Sequence, residues 1–292
     1  MKNIGLLIRA HGGFFDVQTE EYGLLRCRAR GRLHLNGTEP LAGDRVIWQR
    51  DSHHPEYGIL TGIEPRKNVF VRPSVANIDQ MIFVASVARP RTDPFLIDQM
   101  SVVAAAAGCE FILCVNKEDL EPVDRLASVY HSCGFRVIRT STVTENGLTE
   151  LREVLSGSVS VLTGNSGVGK TSLLNLLIPG LSREVAEISE KRGRGRHTTR
   201  LTELFPLPDS GYVADTPGFA ALELERLTSV SEEELSLCFP EFPQGSCRFP
   251  DCLHRGEPQC AVREKMEAGE LPESRYTSYL RLLNQVSKKN YT

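Results

Sequence analysis

The sequence predicts three domains of different class: an N-terminal all-β barrel, a central α/β domain built on a parallel sheet, and a C-terminal helical segment carrying a metal-binding loop. Three observations carry this reading. Residues 1–72 alternate short apolar and polar runs between glycine-rich turns, residues 73–225 alternate apolar runs with helical patterns, and residues 226–292 hold a tight Cys/His cluster followed by a polar helix.

With 292 residues, 40% hydrophobic and 24% charged, the composition is that of a soluble protein of two domains, or three if some are small. The N-terminal stretch MKNIGLLIRAHGGFFD lacks the apolar run and small-residue cleavage site of a secretion signal. No run approaches the roughly 20 apolar residues that cross a bilayer. A cytoplasmic protein with no membrane partner is expected. In that reducing compartment, eight cysteines favour metal ligation over disulfides. A formal net charge of -3 argues against generic polyanion binding but leaves room for local basic patches.

The barrel is read from GLLIRA, LLRCRARGRL and DRVIWQR, separated by HGG, LNGTEPLAGD and EYG. Arg26, Arg28, Arg30 and Arg32 fall on alternate positions of one strand, with Tyr22 and Trp48 as aromatic neighbours. Such a stripe suits RNA phosphates, and it equally suits a solvated strand face. In the central domain QMIFVASV, FILCVNK, FRVIRTS, VSVLTG and GYVADTPG read as buried parallel strands, with FLIDQMSVVAAAAG and KTSLLNLLI as helices. The C-terminal text is acidic and helical, then cysteine-rich, then helical again in SRYTSYLRLLNQVSKK.

The chemistry starts with GNSGVGKT, a phosphate loop in the right setting between an apolar strand and a helix. Gly164, Asn165, Ser166, Gly167, Val168 and Gly169 would turn backbone N–H groups onto phosphate oxygens. Lys170 would reach the β and γ phosphates, and Thr171, followed by Ser172, would ligate Mg2+ at the helix N-terminus. After a further strand, Asp215 and Gly218 form DxxG, which can hold magnesium through water and sense the γ-phosphate. Asn116, Lys117 and Asp119 follow the strand FILCV. An aspartate there accepts both N1–H and N2–H of guanine, a pattern adenine does not offer. Ser141 and Thr142, after FRVIR, could present backbone N–H groups to the guanine O6. Together these select GTP/GDP over ATP and disfavour a small ATP-dependent kinase.

The order is inverted relative to the usual GTPase: the base-reading NKED precedes the phosphate loop and DxxG. This order, with GRGRHTTR between them, DTPGF after, a β-rich N-terminus and a terminal Cys/His cluster, resembles the RsgA (YjeQ/YloQ) family of circularly permuted GTPases. The resemblance covers essentially the whole chain. It implies an OB-fold barrel that contacts 16S rRNA, a GTP hydrolase acting in late maturation of the 30S ribosomal subunit, and a zinc domain. Monomer is the default state.

Cys247, Cys252, His254 and Cys260 spell C-x4-C-x-H-x5-C, the ligand set of a closed tetrahedral site for one structural Zn2+. Cys27, Cys109, Cys114, Cys133 and Cys238 lie outside this spacing and read mostly as small buried hydrophobes. In many GTPases a glutamine after DxxG orients the attacking water, but Phe219 stands here. Slow intrinsic turnover is expected. The segment 190–200 is the switch I candidate: Thr198 or Thr199 would reach magnesium, and His197 is the catalytic candidate for positioning water, or an exposed loop histidine. Lys191, Arg192, Arg194 and Arg196 make the same loop an RNA-contact candidate. A GTP-stabilised, zinc-containing RNA-binding scaffold with little turnover is the alternative.

Overall fold

The structure, a computed structural model, describes residues 3–29, 39–71, 74–181, 203–215 and 230–289. Arg30, Arg32, the whole 190–200 segment with His197, Thr198 and Thr199, and Gly218 and Phe219 lie outside the described residues. In chain order the strands and helices begin with β1 (Asn3–His11), β2 (Phe14–Thr19), β3 (Gly23–Ala29), β4 (Arg45–Arg50), β5 (Gly58–Ile63), β6 (Val69–Val71) and β7 (Ser74–Ala76). They continue with β8 (Gln80–Ser86), α1 (Pro94–Ala106), β9 (Glu110–Asn116), α2 (Asp124–Ser132), β10 (Arg136–Thr140), α3 (Leu148–Leu155), β11 (Val159–Thr163) and α4 (Lys170–Leu177). The last are β12 (Leu204–Pro206), β13 (Tyr212–Asp215), α5 (Glu232–Leu237), α6 (Ala261–Glu267) and α7 (Glu273–Lys289). The central sheet runs β10-β9-β8-β11-β13-β12. None of the described helices is long and apolar enough to cross a membrane.

The chain divides into two compact units, and the first joins residues 1–80, 152–162 and 171–219. Its β1–β5 close a barrel in the order β1-β2-β3-β5-β4. Period-2 alternation points Leu7, Val17, Leu25, Cys27, Val46, Trp48 and Leu60 into one core. Each such buried side chain contributes about 1.5–3 kcal/mol. Gly58 is required where β3 and β5 meet, because a Cβ there would stand 2.6 Å from Cys27 Sγ. Asp44, fully buried, is held by Arg66 through Nε at 2.7 Å and Nη2 at 2.8 Å. Asp16, also buried, accepts from Arg9 and from Arg26, whose Nε lies 2.9 Å away.

The second unit joins 81–151, 163–170 and 220–292. Every residue of β8 is buried, as a central strand covered on both faces requires. The entry to α1 is fixed twice: Asp93 caps it by accepting from Phe95 N, and Pro94 opens its first turn. A capping box between Ser231 and Glu234 starts α5. The sequence patterns did not mark α2 and α3. They are short, and in α3 only Leu148, Leu151, Val154 and Leu155 carry the buried face.

Within this unit Arg275 of α7 is fully buried. Its Nη1 donates to Asp98 Oδ1 of α1 at 2.6 Å and its Nε to Glu241 Oε1 at 2.6 Å, while Phe239 lies 4.6 Å from the guanidinium. Tyr130 adds a hydroxyl to Asp98 at 2.7 Å. Removing one member of such a buried pair costs about 3–5 kcal/mol, because the charge left behind has no water.

Burial alone would raise the Asp16 carboxyl, but the hydrogen bonds of Arg26 and Arg9 outweigh it and hold its pKa below the usual carboxylate range. A depressed folded-state pKa gives stability that is present above the unfolded value and lost as pH falls through the folded one. Trp48, the chain's single tryptophan, is 4% exposed in the barrel core, so its fluorescence reports this barrel. Asp16→Asn is expected to cost about 1–3 kcal/mol at neutral pH. It should also flatten the loss of barrel stability from about pH 4 downward, and denaturant titrations followed at Trp48 with equal acid limbs in both proteins would contradict this.

Candidate nucleotide site and metal centre

The loop between β11 and α4 has the backbone of an anion cradle. Gly164, Gly167 and Gly169 hold φ values of 138°, 79° and 104°, which side-chain-bearing residues rarely adopt. Space forbids a Cβ as well: at Gly164 it would lie 2.2 Å from Val84 O, and at Gly169 2.2 Å from Asn116 Nδ2. Lys170 Nζ donates to Gly164 O at 2.8 Å and Asn165 O at 2.6 Å, which draws the ammonium against the loop. Val168 is buried, whereas Asn165 is half-buried and Ser166 exposed. Thr171 and Ser172 are exposed in the first turn of α4.

Asn116 ends β9 fully buried, and both ends of its amide are used. Nδ2 donates to Val168 O at 2.8 Å, and Oδ1 accepts from Thr140 Oγ1 at 3.1 Å. Lys117, at a left-handed φ of 69°, donates through Nζ to Gly167 O at 2.8 Å and to Arg89 O at 2.9 Å. The segment predicted to read the base is thus tied to the segment predicted to cradle phosphate. Asp119 is exposed, and its Oδ1 accepts from Ser141 Oγ at 2.6 Å. Ser141 Oγ in turn accepts from Val143 N and Thr144 N, both at 3.1 Å.

The Ser141 N–H donates to Asn146 O at 3.2 Å, as a buried amide must find a partner. Thr142, half-buried, follows it on the same loop. Two contributors escaped the sequence reading: Thr140, which orients Asn116 from the neighbouring strand, and the Arg89 carbonyl. Thr140 stands opposite Asn116 in the parallel β9/β10 register, a relation that no sequence spacing encodes. Asp215 closes β13 opposite Leu162 of β11. The remaining candidates, His197, Thr198, Thr199 and Gly218, lie outside the described residues.

The Cys/His cluster does converge. The ligand atoms of Cys247, Cys252, His254 and Cys260 lie within 4.8 Å of one another. The three thiols stand 3.5, 3.4 and 3.4 Å from His254 Nδ1. Zinc bonds of the usual length at tetrahedral angles require about 3.6 Å along a sulfur–nitrogen edge, so the set fits that ion. The loop is shaped by His254 and Gln259 at φ 57° and 59°, by Glu257 accepting from Leu253 N at 2.9 Å, and by Tyr276 and Tyr279 donating to His254 O and Leu253 O. The other five cysteines are buried. Burial pushes the thiols of Cys27, Cys114 and Cys133 up to about 12, which leaves them protonated.

On the barrel, Arg26 and Arg28 are committed more than a solvated stripe would be. Arg26 pairs with Asp16, and the Arg28 guanidinium lies over Tyr57 at 4.1 Å. Arg50 covers Tyr22 at 3.8 Å, and Tyr22 meets Trp48 edge-on at 5.8 Å.

Comparison with known proteins agrees with this geometry. A family model described as RsgA GTPase matches residues 63–225, and one described as the RsgA N-terminal domain matches 4–57. The chain is 43% identical over 290 residues to the small ribosomal subunit biogenesis GTPase RsgA of Caldanaerobacter subterraneus subsp. tengcongensis, covering 98% of this chain and 96% of that protein. The crystal structure of YjeQ from Thermotoga maritima superposes with a TM-score of 0.83 at 35% identity, over 98% of this chain and 99% of that one. YloQ, described as a circularly permuted GTPase, also superposes with a TM-score of 0.83, at 33% identity, over 99% of this chain and 96% of its own. The inverted order of motifs, the tied loops and matches over nearly the whole length have one common explanation: the chain belongs to the RsgA GTPase family.

Proposed function

We propose that this GTPase acts in late maturation of the small ribosomal subunit, docking on 16S rRNA of the 30S particle with GTP bound and leaving after hydrolysis. The observation that carries the nucleotide assignment is the joining of Asn116 to Val168 O and of Lys117 to Gly167 O. It holds base reader and phosphate cradle in one unit. In this reading Asp119 accepts N1–H and N2–H of guanine, with Ser141 Oγ steering its carboxylate and Thr142 on the O6 side. The N–H groups of residues 164–169 and the Lys170 ammonium take the β and γ phosphates, with Ser172 in the following turn.

Thr171, Asp215 and one of Thr198 and Thr199 would hold Mg2+, which supplies charge neutralisation on the phosphate oxygens. Gly218 would sense the γ-phosphate. His197 orients the attacking water, since the position after DxxG is Phe219 and cannot do so by hydrogen bonding. Cys247, Cys252, His254 and Cys260 hold a structural zinc ion with no open position for chemistry. We assign the barrel to 1–72, the permuted GTPase domain to 73–225 and the zinc domain to 226–292, in a cytoplasmic monomer. The relatives' name, small ribosomal subunit biogenesis GTPase, supports the ribosomal partner.

Three outcomes test these assignments. Purified zinc-loaded protein is expected to turn over GTP slowly alone and at least about tenfold faster with small subunits, as completion of a catalytic site by a partner implies. Large subunits and ATP serve as controls, and GTP binding without stimulated turnover would favour the scaffold alternative. For Asp119→Asn, loss of a charged acceptor for two donors should weaken GTP on the order of 100-fold while improving xanthosine triphosphate binding. Calorimetry with both nucleotides decides, and unchanged GTP affinity would remove Asp119 from the base site. Zinc chelation should abolish hydrogen-exchange protection at the Arg248 and Cys252 amides, which donate to Gln259 O and Phe249 O, and leave the Trp48 fluorescence unmoved.

A further inference from the structure

Arg9 of β1 lies between carboxylates from two different parts of the chain. Its Nε and Nη2 donate to Asp16 Oδ2 at 3.0 and 2.5 Å, and its Nη1 donates to Glu203 Oε1 at 2.9 Å. The other oxygen of Asp16 accepts from Arg26 Nε at 2.9 Å, and the Arg26 side chain is 55% exposed on β3. Four charges therefore stand in sequence, Arg26, Asp16, Arg9 and Glu203. The inner three are mostly shielded, with 7%, 21% and 19% of their side chains exposed for Asp16, Arg9 and Glu203, so salt screens them weakly.

The far end of this row reaches the strand pair that bears Asp215. Arg9 and Glu203 also form an antiparallel backbone bridge. Glu203 directly precedes β12, which pairs with β13 through Leu204 opposite Ala214. Continuing that register by one residue sets Glu203 opposite Asp215, the carboxylate assigned to magnesium. The near end is the exposed Arg26 on β3 of the barrel.

Sharing makes the row competitive. Asp16 divides its charge between two guanidiniums, and Arg9 divides its guanidinium between two carboxylates. A phosphate that draws Arg26 away from Asp16 leaves Asp16 to hold Arg9 more tightly, which weakens the hold of Arg9 on Glu203. We propose that Arg9 and Glu203 are positioning residues that couple polyanion binding at the barrel face to the placement of the β12–β13 edge bearing Asp215. The coupling is reciprocal: whatever nucleotide state favours one arrangement of that edge also alters the affinity of the barrel for phosphate. This inference rests on the assignment of Asp215 to the nucleotide site.

The test compares affinity for purified 30S subunits in the presence of a non-hydrolysable GTP analogue and of GDP. The intact protein is expected to discriminate by about fivefold or more, the lower end of usual coupling. Glu203→Gln removes the charge that Arg9 Nη1 holds, and Arg9→Lys keeps the charge but cannot fork between two carboxylates. Both should bring the ratio close to one, while affinity for the analogue without subunits stays within about twofold and Glu203→Asp restores part of the ratio. Trp48 fluorescence unfolding reports barrel integrity in each variant, so a purely structural role would appear as lost stability with the ratio retained. An unchanged ratio in folded Glu203→Gln overturns the coupling, as does a ratio of one in the intact protein. Failure of the nucleotide assignment would show separately, as absent GTP binding without subunits.

Discussion

The joining of the 116–119 loop to the glycine-rich loop at 164–169 depends on one buried side-chain amide. Asn116 spans two strands and a loop: its oxygen takes the Thr140 hydroxyl and its nitrogen supports the Val168 carbonyl, 52 residues further along the chain. The glycine at 169 follows from it, since the space a Cβ would need is filled by that nitrogen. A buried amide with donor and acceptor both satisfied is rigid, and leaving it half-satisfied would cost about 1–3 kcal/mol. The link is a hydrogen bond and not a peptide connection, so it is indifferent to which loop is synthesised first. That indifference is the physical licence for a permuted order, provided the relocated termini fall at a tolerant surface.

Features were legible in the sequence where local spacing encodes geometry. The turn at 164–169 was, because its three left-handed glycines must fall at fixed intervals. The Cys/His cluster was too, since four ligands within one short loop have few other ways to be satisfied. The buried strands around them followed from apolar runs. Illegible features are those made by partners distant in the chain. The arginines of β3 read as a stripe, but nothing in the spacing told that Asp16 would engage Arg26 or that Tyr57 would stack on Arg28. Thr140 lies within FRVIRTS with no spacing that marks it, and its role appears only in the register of β9 with β10. The partner of the Ser141 amide is illegible for a related reason, because its acceptor Asn146 is supplied by the return of its own loop.

In the barrel, guanidiniums lie over aromatic rings, as with Arg50 on Tyr22 and Arg28 on Tyr57. Such stacking holds a cation in place at low solvation cost. The net charge of -3 hides this arrangement entirely.

The ion pairs of Arg275 carry a consequence for how the chain acquires its fold. Asp98 and Arg275 are 177 residues apart, and both are buried. During synthesis, α1 is finished long before α7 exists, so the carboxylate of Asp98 must wait, hydrated or protonated, in a half-built site. Closing so long a loop carries a large entropic cost before any contact rewards it. The contacts of α1 with α7 are therefore completed only once nearly the whole chain has been made.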